Sequence, residues 1–225
     1  MAGPASVQVD VQVPRLESGD RLTRDEFERR YRAMPELKRA ELIEGVVYVS
    51  SPVRHSAHSG PHGRLVTWLG VYAAATPGVD LGIDGTLRLD LDNEVQPDAF
   101  LRLARGGSSQ LGSDDYLEGA PELIAEVAAS TASYDLHDKL HVYRRNGVRE
   151  YLVWRTQERA LDWFVLTGGR YERLAPQEGL LRSPSLGGLW LDVAALLVGD
   201  QARVLRALEA GLTSPDHAAF VAGLR

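Results

Sequence analysis

The chain contains no cysteine, so disulfides, thiolate metal ligands and thiol nucleophiles are excluded. A reducing compartment is compatible with that, and a cytoplasmic location is expected. No stretch approaches the roughly 18 apolar residues of a membrane-spanning helix. Residues 1–14 also lack the apolar centre of a signal peptide, so no membrane association is expected. Positive charge is in deficit: 25 Lys and Arg against 31 Asp and Glu leave a net charge of −6. That argues against an indiscriminate nucleic-acid coat, but not against a local basic strip or phosphate contacts bridged by a metal. Repeats and low-complexity tracts are missing too. What remains is globular in character, with 44% hydrophobic and 25% charged residues, and 225 residues suffice for one full core.

Pro121 to Trp154, PELIAEVAASTASYDLHDKLHVYRRNGVREYLVW, organises the reading. Leu123-Ile124-Ala125 and Val127-Ala128-Ala129 form an apolar run, as in a strand buried on both faces. Glu126 interrupts it. A buried, unpaired carboxylate costs several kcal/mol, so Glu126 is expected at the strand's end, facing positive charge. After the polar Ser130–Ser133, Leu136, Leu140 and Tyr143 recur at helical spacing, and Asn146-Gly147 stops the helix. Tyr151–Trp154 is the next strand. Strand, helix and strand imply a right-handed crossover between parallel strands, and ligands gather at the carboxyl ends of such strands.

Along the chain, residues 1–20 have little pattern and are expected to form a flexible arm. Thr23 and Glu26 make a capping box for a helix from Arg24 to about Met34. Residues 40–49 read as two strands about the turn pair Glu44-Gly45. A loop with His55 and His58 precedes a helix over 60–75, where Leu65, Trp68, Leu69 and Tyr72 share a face. Leu87, Leu89 and Leu91 alternate with polar residues as a half-exposed strand, Asn93-Glu94 turns, and Val95–Leu101 is a strand with Pro97 at an edge or bulge. Residues 104–119 read as one long loop. A strand over 161–166 turns at Gly168-Gly169. A helical extension of two short helices is expected from about 199 to 225, outside a main domain of residues 21–198. The fold class is α/β (α+β): a mixed central sheet flanked by helices.

Asp98 and Glu126 each fall in a strand, 28 positions apart. If those strands are neighbours, the carboxylates can converge on one hard cation. Mg²⁺ suits such a pair, because it takes one or two carboxylates, keeps waters and accepts phosphate oxygen. Lys139 could orient a water or steady phosphate charge there. Spacing alone does not decide this, since solvated surface carboxylates give the same pattern. His58 and His62, four apart, could bind zinc on one helix face, but Pro61 lies between them. Asp135 reads as a carboxylate favoured by a helix N-terminus. Arg144, Arg145 and Arg149 fit either phosphate contacts or a helix C-terminus.

The strings ELIEGVVYVSSPVRHSAH, VQPDAF, PELIAEVAASTASYDLHDKLHVYRRNGVREYLVW and GLLRSPSLGGLWLDV occur in an order that resembles the PD-(D/E)XK nuclease superfamily. More narrowly, residues 22–198 are similar to a bacterial branch described as putative restriction endonucleases. The resemblance implies a restriction-endonuclease-like fold and Mg²⁺-dependent cleavage (Mn²⁺ as substitute) of nucleic acid, DNA in the first instance. It places metal carboxylates on Asp98 and Glu126. The superfamily's usual lysine position is Ala128 here, and a lysine from the next helix, Lys139, takes its place in the branch. Glu44 matches the acidic residue preceding the first core strand and is expected to assist the metal site. His58 matches a histidine that the branch often carries at the start of its helix. A homodimer is implied, since cutting a duplex uses two sites.

Two rivals stay open. One is a non-catalytic module, binding nucleic acid or protein on a nuclease-like fold, which suits the acidic net charge. The other is glycoside hydrolysis, which requires the two carboxyls about 5–9.5 Å apart across a sugar-sized cleft.

Overall fold

The computed structural model describes residues 13–50, 54–129 and 134–224. Its centre is the expected crossover. β9 (Leu123–Ala128) and β10 (Glu150–Arg155) pair in parallel, with Glu126 opposite Val153. Beyond β10 come β11 (Ala160–Thr167) and β12 (Arg170–Arg173), both antiparallel. Beyond β9 come β6 (Ala99–Leu103) and β3 (Val79–Ile83), also antiparallel. The sheet is therefore mixed, in the order β12-β11-β10-β9-β6-β3.

Side chains alternate across a strand, and β9 uses both faces. Leu123, Ala125 and Val127 join the core that contains Leu65, Trp68, Leu69 and Tyr72. Those four are the buried face of α2 (Gly60–Ala75). Ile124 and Ala128 join a second core with Val142 and Tyr143 of α3 (Leu140–Arg145). Each of these helices is entered through a π-helical turn, His55–Ser59 before α2 and Asp135–Lys139 before α3.

A second sheet covers the α3 side. It consists of β2 (Val46–Val49), β1 (Ala40–Ile43), β5 (Asn93–Val95), β4 (Leu87–Asp90), β8 (Leu117–Glu118) and β7 (Gln110–Leu111), in that order. Its outer side packs on α1 (Arg24–Arg32), which begins where the capping box predicts, with Thr23 Oγ1 accepting from Glu26 N.

Several expectations change here. Asn93 and Glu94 do not turn; they lie in β5, and the turn falls at residues 91–92. Val95–Leu101 is not one strand: β5 ends in the second sheet, and β6 starts in the central one. Gln96-Pro97-Asp98 crosses between them, where proline's missing N–H breaks neither ladder. The loop over 104–119 contains the short pair β7 and β8. Of the expected N-terminal arm, residues 13–20 are packed: Leu16 is buried, and Gly19 N donates to Val47 O. Residues 1–12 lie outside the described residues. No helix among the described residues is long and apolar enough to cross a membrane.

After the hairpin β13 (Leu181–Arg182) and β14 (Trp190–Leu191) come α4 (Val193–Val198), α5 (Gln201–Leu212) and α6 (Pro215–Gly223). The C-terminal helices are continuous with the main core: Val204 and Leu208 belong to it, and buried His217 bonds Thr76 Oγ1 at 3.0 Å. At Gly211 a Cβ would meet the carbonyl oxygen of Gly188 and, at 2.9 Å, Trp190 Cγ. Overpacking of this kind costs about 1–3 kcal/mol, and 1 kcal/mol corresponds to about 2–4 °C in a chain of this size. Gly211→Ala should therefore lower the thermal midpoint of the whole chain in a single transition. A separate early transition of the C-terminal helices would contradict this continuity.

Candidate active site

The register of the central sheet brings the first two carboxylates together. β6 and β9 run antiparallel with Ala99 opposite Ala125, so Asp98 lies beside Glu126, one step further along. Val127 N donates to Asp98 Oδ2 at 2.7 Å, and Asp98 N lies 3.4 Å from Glu126 Oε2. Both residues are buried. Alternation turns Glu126 to the α3 side, along with Ile124 and Ala128.

The helix supplies the cation. Lys139, at the end of its π turn, places Nζ 2.8 Å from Glu126 Oε1, 3.0 Å from Glu41 Oε1 and 3.9 Å from Asp135 Oδ1. One turn on, Tyr143 Oη donates to Glu126 Oε1 at 3.0 Å. Glu41 arrives from the second sheet by the same alternation: Ala40 and Leu42 face α1, whereas Glu41 and Ile43 face the central sheet. Gln96 N, in the crossing segment, donates to Glu41 Oε1 at 2.8 Å. On the far side of Asp98, Arg39 Nη1 stands 3.1 Å from Oδ1 and His58 Nε2 3.2 Å from Oδ2. His62 Nε2 lies 2.8 Å from the Asp98 carbonyl. Both π turns border this cluster, consistent with the tendency of such turns to mark functional sites.

The electrostatics separate the two central carboxylates. Burial disfavours the charge on Asp98, but the His58 hydrogen bond, the Arg39 guanidinium and the Val127 amide outweigh it. They hold its pKa well below the usual carboxylate range. Glu126 goes the other way, pushed up to about 8, first by burial and then by Asp98, Asp135 and Glu41 against the pull of Lys139. Burial also works against the Lys139 charge, yet Glu126, Glu41 and Asp135 raise its pKa well above that of a free lysine. Lys139 is thus a fixed ammonium, suited to positioning rather than to taking up a proton.

Of the residues expected at the site, Asp98, Glu126 and Lys139 come together and Glu44 does not. Glu44 occupies the β1–β2 turn with φ +52°, and its carboxylate pairs with Arg145 at 2.8 Å. The strand ends at Ile43, so the turn directs Glu44 outward, and Glu41 takes the inward position. Asp135 does stand at the start of its helical segment, and it is also buried within the cluster. His58 and His62 contact the carboxylate and the carbonyl of Asp98, rather than pairing around a zinc ion. Among the described residues, no three His, Asp or Glu side chains converge on one ion-sized point, and the Lys139 ammonium stands between the carboxylates instead. Reading the sequence overlooked Glu41, Arg39 and the Tyr143 phenol. The available signal was Glu41 inside the short strand AELI.

A linkage prediction follows from Glu126. Its pKa is raised from 4.5 to about 8, so the folded state holds the proton more tightly than the unfolded chain. The resulting stability is fully present below about pH 4.5 and is lost as pH rises through about 8. Glu126→Gln cannot ionise. It should melt higher than the native chain near pH 8, by several degrees, and the gap should close on acidification toward pH 4.5. Equal melting temperatures at both pH values would refute the assignment of strain to this carboxylate.

Comparison with known proteins bears on the family and the fold. Residues 24–194 match the profile of the Uma2 family, described as "Putative restriction endonuclease". A crystal structure of a putative nuclease belonging to DUF820, from Anabaena variabilis ATCC 29413, superposes with a TM-score of 0.61 at 15% identity. The match covers 79% of this chain and 98% of that one, and at that identity it speaks for the fold. No curated protein matches the chain. Since the family profile spans most of the chain, the protein belongs to the Uma2 family of putative restriction endonucleases, a family of nuclease-like proteins on this fold.

Proposed function

We propose that the protein hydrolyses phosphodiester bonds of nucleic acid, DNA in the first instance, using Mg²⁺ held by Asp98 and Glu126. The observation that carries this reading is the surplus of negative charge in the buried cluster. Glu41, Asp98, Glu126 and Asp135 present four carboxylates, and Lys139 and Arg39 return two positive charges. The remaining two match one divalent cation, and carboxylate oxygens are the donors that Mg²⁺ and Mn²⁺ prefer. The pKa of Glu126 is raised first by burial, and the neighbouring carboxylates Asp98, Asp135 and Glu41 add to it.

Each residue then has a task. Asp98 is held ionised and oriented by Arg39, His58 and the Val127 amide. Glu126 is aimed by Lys139 and Tyr143. Glu41, rather than Glu44, completes the acidic wall from β1. The Lys139 ammonium keeps these carboxylates in register and positions a water beside them. When bound, the cation would supply Lewis-acid stabilisation of charge on the phosphate and leaving oxygen. Cutting both strands of a duplex would require two such sites, hence a homodimer.

Calorimetric titration with Mg²⁺ or Mn²⁺ tests the reading. The native chain should bind one cation per site, and a folded Asp98→Ala/Glu126→Ala variant should bind none. Metal-dependent cleavage of DNA should fall by at least about 10²-fold with Asp98→Ala, the scale expected when electrostatic stabilisation is lost. Undiminished cleavage by the variant would end the assignment. Nucleic-acid binding without cation binding or cleavage would instead identify a non-catalytic module.

A further inference from the structure

We infer that Arg39 receives a backbone phosphate of the substrate, a contact that the buried Lys139 cannot make. This inference rests on the nuclease reading above. Lys139, Arg39 and His58 touch the cluster, and the two permanent cations differ in reach. The Lys139 side chain is 3% exposed, and Glu126, Glu41 and Asp135 surround its ammonium. Burial and the close carboxylates of Glu126 and Glu41, at 2.8 and 3.0 Å, keep this ammonium away from an incoming phosphate.

Arg39 stands at the edge of the buried cluster, immediately before β1, with 24% of its side chain exposed. A guanidinium carries five N–H donors in a planar fork, and those of Arg39 are not used up. Nη1 holds Asp98 Oδ1 at 3.1 Å and Nη2 donates to the Gln96 carbonyl, which leaves N–H groups of the fork's outer end over; Nε is buried and faces away from solvent. Nη1 also meets Asp84 Oδ1, at 3.4 Å. That is long for a charge-assisted hydrogen bond, which normally spans about 2.7–2.9 Å, and the Asp84 side chain is 55% exposed. A loosely held, solvent-facing carboxylate on a guanidinium marks a place that another oxyanion can take. A substrate phosphate would displace Asp84 while the bond to Asp98 stays. One rigid side chain would then touch both a metal carboxylate and the phosphate, setting the distance between them.

The test separates phosphate binding from simple neutralisation of Asp98. In an Asp98→Asn background the charge that Arg39 balances is gone, and cleavage no longer consumes the probe. Binding of labelled DNA and RNA oligonucleotides, single-stranded and duplex, is measured over a salt series, with thermal melts confirming the fold. Adding Arg39→Gln should weaken binding roughly tenfold and flatten the slope of log affinity against log salt by about 1. Arg39→Lys should retain the slope. Asp84→Asn should tighten binding only while Arg39 is present, which provides a second readout should Arg39→Gln fail to fold. Unchanged affinity and slope on removing Arg39 would overturn this inference and leave the nuclease reading standing. No binding of any oligonucleotide by either the native chain or Asp98→Asn would overturn both.

Discussion

One buried ammonium holds the site together. Lys139 lies between carboxylates from three directions: β9, β1 and its own π turn. Without it, several negative charges would share a region closed to water. Removing one partner of a buried ion pair costs about 3–5 kcal/mol, and here a single cation serves three partners. Everything around Lys139 serves to put it there. The parallel crossover delivers α3 over the carboxyl end of β9, the π turn brings Lys139 and Asp135 inward together, and Tyr143 closes the space behind Glu126. The second sheet presents Glu41 from the opposite side.

The segment Gln96-Pro97-Asp98 has a comparable role for the backbone. It leaves the second sheet and enters the central one, so a single short stretch serves both sheets. Its Gln96 amide fixes Glu41, and its Asp98 meets Glu126. Arg39 binds both the Gln96 carbonyl and the Asp98 carboxylate, and thereby ties the crossing to the strand that carries Glu41. The acidic net charge of the chain is then no obstacle to a nucleic-acid substrate. A metal-bridged site needs few basic side chains, provided that those present are placed where the phosphate arrives.

Much of this was legible in the sequence. A glutamate inside an apolar run pointed to a strand end facing positive charge; the cation is there in Lys139, but Glu126 is buried within β9 rather than at its end. The crossover, the capping box at Thr23 and the buried face of α2 follow from local periodicity. What local periodicity could not supply is long-range. Whether Glu41 or Glu44 points inward depends on where a four-residue strand ends, and a shift of one position reverses every side chain. Pro97 looked like a bulge within one strand because the second sheet that receives β5 is assembled from strands distant in sequence. Arg39 showed no pattern, since its partners Asp84 and Asp98 lie 45 and 59 positions away.

The central claim is that β1 contributes Glu41 to a divalent-cation site organised by Lys139. Electron paramagnetic resonance of Mn²⁺ binding to Glu41→Gln and Glu44→Gln, two variants equal in charge and only three positions apart, tests it most directly. The account predicts that Glu41→Gln weakens Mn²⁺ binding at least about tenfold, whereas Glu44→Gln binds as the native chain does. Loss of binding in Glu44→Gln, with Glu41→Gln unaffected, would contradict it.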